Sequence, residues 1–155
     1  MEDPIYRKLM EYALRALARR AHTGSELREK ILKKPIATPE LAEKVLARLE
    51  ELGLINDQNF IRNTIEASTR TKPQGPFKLA ARLQQKGIPV KATQEAWNAM
   101  ELSERDLASQ ALTQAQKRFT KVPLEKLYQK RAQFLASRGF SAEIVFELAK
   151  TGAKQ

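Results

Sequence analysis

Apolar residues recur along the chain at spacings of three and four, the period of a helix with one buried face. Leu9, Ala13 and Leu17 line one face of a first segment, while Lys8, Glu11, Arg15 and Arg19 line the other. Leu41, Val45, Leu49 and Leu52 repeat the pattern, as do Leu79 with Leu83, Leu124 with Tyr128 and Leu135, and Ile144 with Leu148. No segment alternates apolar and polar residues as a strand would, and β-branched residues are scattered. The pattern predicts an all-α fold.

Cap residues punctuate these segments. Thr23 with Glu26 reads as a capping box, in which hydroxyl and carboxylate each satisfy a free backbone amide. Thr38-Pro39 places an N-cap before a proline at the first helical position, where no N–H is needed. Gly75-Pro76 and Pro123 open helices the same way, and Ser103 caps another with Asp106 in its third position. Gly53, Gly87 and Gly139 follow periodic segments and can take the left-handed conformation that stops a helix.

These stops recur. Lys86-Gly87-Ile88 and Arg138-Gly139-Phe140 lie 52 residues apart, and Lys34-Pro35-Ile36 lies 52 residues further upstream. Ile31, Leu83 and Leu135 keep the same offset. The chain therefore reads as a tandem array of three three-helix repeats, 1–54, 55–101 and 102–155, elongated and curved. Proline cannot take positive φ, so the first repeat must end its middle helix by another device at Pro35.

Composition narrows the chemistry. The 155 residues include no cysteine and one histidine, which excludes disulfides, thiolate metal sites and a cysteine nucleophile. A zinc site would have to rest on carboxylates. His22, beside a helix cap in Arg19-Arg20-Ala21-His22, reads as a surface or capping residue. No glycine-rich phosphate loop, nucleophile elbow or HExxH pair is present. Glu40, Glu43, Glu50 and Glu51 alternate with Lys44 and Arg48 as ordinary helix-face ion pairs. Trp97, among Ala92, Ala96 and Met100, reads as a buried anchor. The expectation is a protein without cofactor, metal or catalytic site. Met1–Tyr12 holds no continuous apolar run and no segment suits a membrane, so the expected location is the cytoplasm.

Charge says more. Lys+Arg number 28 against 18 Asp+Glu, a formal net charge of +10, and a balance this basic points to anionic partners. The first repeat is nearly neutral, with 11 basic and 9 acidic residues. From Ala67 to Gln94 there is no acid, while Arg70, Lys72, Lys78, Arg82, Lys86 and Lys91 fall in that stretch. Lys78, Arg82 and Lys86 are spaced to stand in one helical row about 12 Å long. In the third repeat Lys117, Arg118, Lys121, Lys126, Lys130, Arg131 and Arg138 meet one acid, Glu125. Such a surface suits phosphate backbones, with salt-sensitive and largely sequence-independent affinity.

Two segments carry a resemblance to a known family. Gly53-Leu54-Ile55-Asn56-Asp57-Gln58-Asn59-Phe60, followed by Gly75-Pro76-Phe77-Lys78-Leu79-Ala80-Ala81-Arg82-Leu83-Gln84-Gln85-Lys86-Gly87-Ile88, resembles the central signature of RecX, the bacterial regulator of the RecA recombinase. Ser25–Leu32 and Ser137–Phe140 also match, so nearly the whole chain is covered. The resemblance implies tandem three-helix repeats and no enzymatic activity. It implies a monomer that binds the groove of RecA–DNA filaments, chiefly inhibiting extension, ATP hydrolysis and strand exchange in DNA repair and the SOS response. Direct contact with single- or double-stranded DNA belongs to the same expectation. The chain departs from the family at Arg82, where an acid is common, and at Asn56-Asp57, where two acids are usual; both changes make it more basic. The expected contacts are Arg70, Lys72, Lys78, Arg82 and Lys86, then Lys126, Lys130 and Arg131. Two other readings compete: a nucleic-acid-binding helical module with no RecA role, and a scaffold for some other acidic protein.

Overall fold

In a computed structural model, residues 3–151 are described, and among them the chain is helical with no strand. Nine α-helices follow in order: α1 Pro4–Arg19, α2 Gly24–Leu32, α3 Pro39–Glu51, α4 Asp57–Arg70, α5 Pro76–Gln84, α6 Val90–Ala99, α7 Glu104–Gln114, α8 Leu124–Ser137 and α9 Ala142–Thr151. A short 3₁₀ helix, Gln116–Phe119, lies between α7 and α8. The described residues gather into two compact units. One holds those up to Ile61 with Gln84–Ile88; the other holds Arg62–Leu83 and those from Pro89 onward.

In the first unit α1, α2 and α3 pack on one another around Leu9, Ala13, Leu27, Ile31, Val45, Leu49 and Ile55. The capping box at Thr23 and Glu26 forms, and Thr38 accepts from the Leu41 amide above Pro39. Gly53, at φ 73°, closes α3 with two bonds: its own amide to the Glu50 carbonyl and that of Leu54 to the Leu49 carbonyl. At Pro35 the chain uses ordinary turns instead. Lys34 N–H donates to Ile31 and Ala37 N–H to Lys34, with no positive φ. Asn56 caps α4 by accepting from the Asn59 amide, and Asp57 accepts from the Gly24 amide at 2.9 Å. Asn and Asp cap about equally well, so the Asn at this joint keeps the cap while shedding a charge.

In the second unit α7, α8 and α9 pack on one another, burying Leu107, Leu112, Phe134, Leu135, Phe140 and Leu148. Pro76 opens α5, while Pro123 itself occupies the cap position of α8 without a side-chain bond. Trp97 is buried. One helix stop escaped the glycine pattern: after α6, Glu101 takes φ 51°, a strained left-handed position for a residue with a β-carbon.

The same joint occurs in each unit. In the first, Thr23 Oγ1 donates to the Lys86 carbonyl at 2.7 Å, and Gly87 lies so close to Ser25 that a β-carbon would overlap its hydroxyl. In the second, Gly75 N–H donates to the Arg138 carbonyl at 2.7 Å and Phe77 N–H to the Gly139 carbonyl at 3.0 Å. Thr23 and Gly75 are 52 residues apart, as are Lys86 and Arg138. Each left-handed glycine, φ 87° at both positions, seats its turn on the first turn of a preceding helix.

Three substitutions probe these joints and the stop at Gly53. Gly75→Ala drives a β-carbon into the Gly139 backbone, which has no flexible atom to give way. A loss of about 3 kcal/mol is expected in denaturant unfolding. Gly53→Ala, with open space around it, should lose about 1 kcal/mol from its left-handed backbone alone. Thr23→Val removes the cap and the bond to Lys86 together and should cost about 2 kcal/mol.

Candidate anion-binding surface

Lys86 does not extend the row begun by Lys78 and Arg82. Helix α5 ends at Gln84, and Lys86 stands in the tight turn before Gly87. Its ammonium lies 3.9 Å from Glu26 Oε2 and 5.2 Å from the Phe60 ring centroid. Glu26 also takes Arg20 at 3.2 Å and the Thr23 amide at 3.1 Å. Burial pushes the Glu26 carboxyl up, but the bonds from Arg20 and Thr23 and the charges of Lys86 and Arg20 outweigh it and hold it below its ordinary value. The first joint thus answers its cations with an acid of its own.

His22 is not at the surface. It is 3% exposed beside this joint. Its Nδ1 lies 3.0 Å from the Arg20 carbonyl and its Nε2 2.7 Å from Lys30 Nζ. Nδ1 must therefore donate and Nε2 accept, which describes a neutral imidazole. Burial lowers its pKa, with the charges of Arg20 and Lys30 adding to the effect against the Arg20 carbonyl and Glu26. The unfolded chain takes up this proton first. Stability is full above the ordinary value of 6.5 and falls as pH drops below it. Denaturant melts from pH ~7.5 to ~5.5 should show that loss, and His22→Gln should flatten it.

In the second unit the expected cations divide. Arg70 ends α4 and is exposed, as is Lys72 beyond it. On α5, Lys78 is half-buried, and exposed Arg82 donates to Gln74 Oε1 at 2.9 Å. On α8, Lys126 and Lys130 are exposed and Arg131 is half-buried.

A strap from Thr71 to Gly75 brings Lys72 to partners that spacing did not single out. Gln114, at the end of α7, donates to the Thr71 carbonyl at 3.1 Å. Arg138, at the end of α8, donates to the Pro73 carbonyl at 3.2 Å. Between them opens a cleft of about 560 Å³ carrying Lys72, Lys117, Arg118 and Arg138. The Arg118 and Arg138 guanidinium carbons lie 5.4 and 4.7 Å from the Phe134 ring centroid. Burial, then the charge of Arg118, lowers the Arg138 pKa. Among the described residues no ion pair joins these four cations to a carboxylate. Lys117, Arg118 and Arg138 contributed only to the charge excess in the sequence, because the packing of α7, the 3₁₀ helix and α8 brings them together.

Among the described residues, no group of His, Asp and Glu could hold a metal, and no helix is long and apolar enough to cross a membrane. Residues 10–49 match the family model of the first three-helix domain of RecX, and residues 104–148 match that of the third. The regulatory protein RecX of Prosthecochloris aestuarii is 39% identical over 147 residues, covering 94% of this chain and 93% of that one. The chain belongs to the RecX family. RecX of Chlorobaculum tepidum is 38% identical, covering 91% of this chain and 86% of its own. RecX of Escherichia coli is 32% identical, covering 94% and 92%. The crystal structure of RecX from Lactobacillus salivarius superposes with a TM-score of 0.82 at 21% identity, over 95% of this chain and 96% of that one. A second crystal structure of a regulatory protein RecX gives 0.80 at 24% identity, over 95% and 73%. Both share the helical fold. The chain is thus a member of a family of regulatory proteins.

Proposed function

We propose that this protein is a non-enzymatic regulator of the RecA recombinase, acting on RecA–DNA filaments to restrain their extension, ATP hydrolysis and strand exchange. Three repeats, 1–54, 55–101 and 102–155, serve as its modules; residues 1–2 and 152–155 at their ends lie outside the described residues. The protein works in the cytoplasm as a monomer during DNA repair and the SOS response. The observation that carries this reading is the acid-poor surface of the second unit on a chain of RecX family membership. Arg70, Lys72, Lys78, Arg82, Lys126, Lys130 and Arg131 are its contacts with the filament. Lys86 contributes less, because Glu26 already answers its charge.

The test is ATP hydrolysis by RecA on single-stranded DNA with this protein added. Hydrolysis and strand exchange should fall, and the protein should co-sediment with filaments. Lys78→Glu with Arg82→Glu should weaken co-sedimentation at least about tenfold, whereas Lys86→Glu should act mainly on stability. Unchanged hydrolysis and strand exchange with no co-sedimentation would sink the proposal. A chain that binds bare DNA while leaving RecA untouched would instead be a nucleic-acid-binding module, a reading favoured by the uncompensated cations of the second unit.

A further inference from the structure

The two joints share their backbone pattern but not their charge. At the first, Glu26 stands in the opening turn of α2 and meets Lys86 and Arg20. At the second, the position 52 residues after Glu26 is Lys78, and the position matching Lys86 is Arg138. An acid–base pair has become two bases. Arg138 turns to the Phe134 ring and the Pro73 carbonyl, and Arg118 is drawn to the same ring. Neither contact neutralises a charge. Like charges held close in a partly desolvated cleft destabilise one another, and an anion bound there removes the penalty.

The shape of the cleft narrows the anion. Beside it lies a second recess of about 340 Å³ that shares Arg118 and Ser137 and is walled by Phe119, Val122 and Phe134, with Lys130 at its edge. A cationic cleft continuous with an apolar, aromatic-walled recess matches a nucleotide whose phosphate and base point into neighbouring sites. Only an unpaired strand can offer its base in this way; a duplex keeps its bases stacked inside. An acidic peptide fills both places only where an aromatic side chain happens to flank its carboxylates, whereas a strand carries a base beside every phosphate.

We propose that Lys72, Lys117, Arg118 and Arg138 seat a phosphodiester of single-stranded nucleic acid, with an adjacent base entering the recess beside Phe119. The site gives the regulator its own hold on an exposed strand, and its role in regulation rests on the function proposed above.

The test is fluorescence anisotropy with the full chain and a labelled single-stranded oligothymidylate. Arg118→Gln and Lys72→Gln, both at exposed positions, should each weaken binding by about tenfold and reduce the salt slope by about one. Arg48→Gln, on α3, should leave binding unchanged. An abasic strand of equal length should bind more weakly than oligothymidylate. Full affinity in the Arg118 and Lys72 variants overturns the site, as does equal affinity for an abasic strand, a blunt duplex or polyglutamate. Co-sedimentation with RecA filaments, run on the same proteins, separates the two ideas. Strand binding lost with filament binding retained supports the site and leaves the RecA reading standing. Strand binding by a wild-type chain that ignores RecA filaments supports the site and removes the RecA reading alone.

Discussion

Both units depend on the seating of a left-handed glycine turn on the first turn of a preceding helix. The turn exposes a carbonyl, Lys86 in one case and Arg138 in the other, and the helix start supplies the donor that satisfies it. A buried carbonyl without a partner would forfeit the gain of closing the helix. The close approach also explains the small residues at the contact, because a β-carbon at Gly75 or Gly139 meets backbone. The periodic core follows from this spacing. Ile31, Leu83 and Leu135 are each 1% exposed or less, so the residue that anchors each middle helix is set by its distance from the stop.

The joints also organise the charge. At the first, a capping residue does three jobs: Thr23 Oγ1 accepts from Glu26 N–H and donates to the Lys86 carbonyl, and Thr23 N–H donates to the Glu26 carboxylate that answers Lys86 and Arg20. Burial, then the charges of Arg20 and Lys30, disfavours a proton on His22 beside it. At the second, Gly75 replaces the threonine with a backbone donor and Lys78 replaces the acid, so the architecture survives while the compensating charge is lost. Repetition preserves geometry because geometry rests on backbone bonds, and it leaves side-chain charge free to diverge.

That divergence connects fold to function. The function proposed above needs affinity for a surface that is largely anionic, and diffuse positive charge supplies steering without specificity. A strap fastened at Thr71 and Pro73 adds shape to charge, holding Lys72 across from Arg118 and Arg138 over one cleft.

The helices and their ends were legible in the sequence because they rest on local chemistry. The box at Thr23 and Glu26, the cap at Thr38, and the stops at Gly53, Gly87 and Gly139 involve residues within a turn or two of each other, and the 52-residue offset marked the fully buried anchors. The positive charge of the second unit was legible too, as composition. What the sequence could not decide was where each charge is spent. Equal spacing placed Lys86 in a row with Lys78 and Arg82, yet the helix ends before it and Glu26, sixty residues upstream, claims it. A cap-adjacent His22 looked superficial, yet α2 and the Arg20 carbonyl enclose it. Glu101 stops α6 without a glycine, its amide donating to the Asn98 carbonyl at 3.2 Å against a local strain of about 1 kcal/mol. Local bonds wrote the helices into the sequence; long-range bonds from Thr23, Gly75, Gln114 and Arg138 decided which cations meet an acid and which are left facing one another.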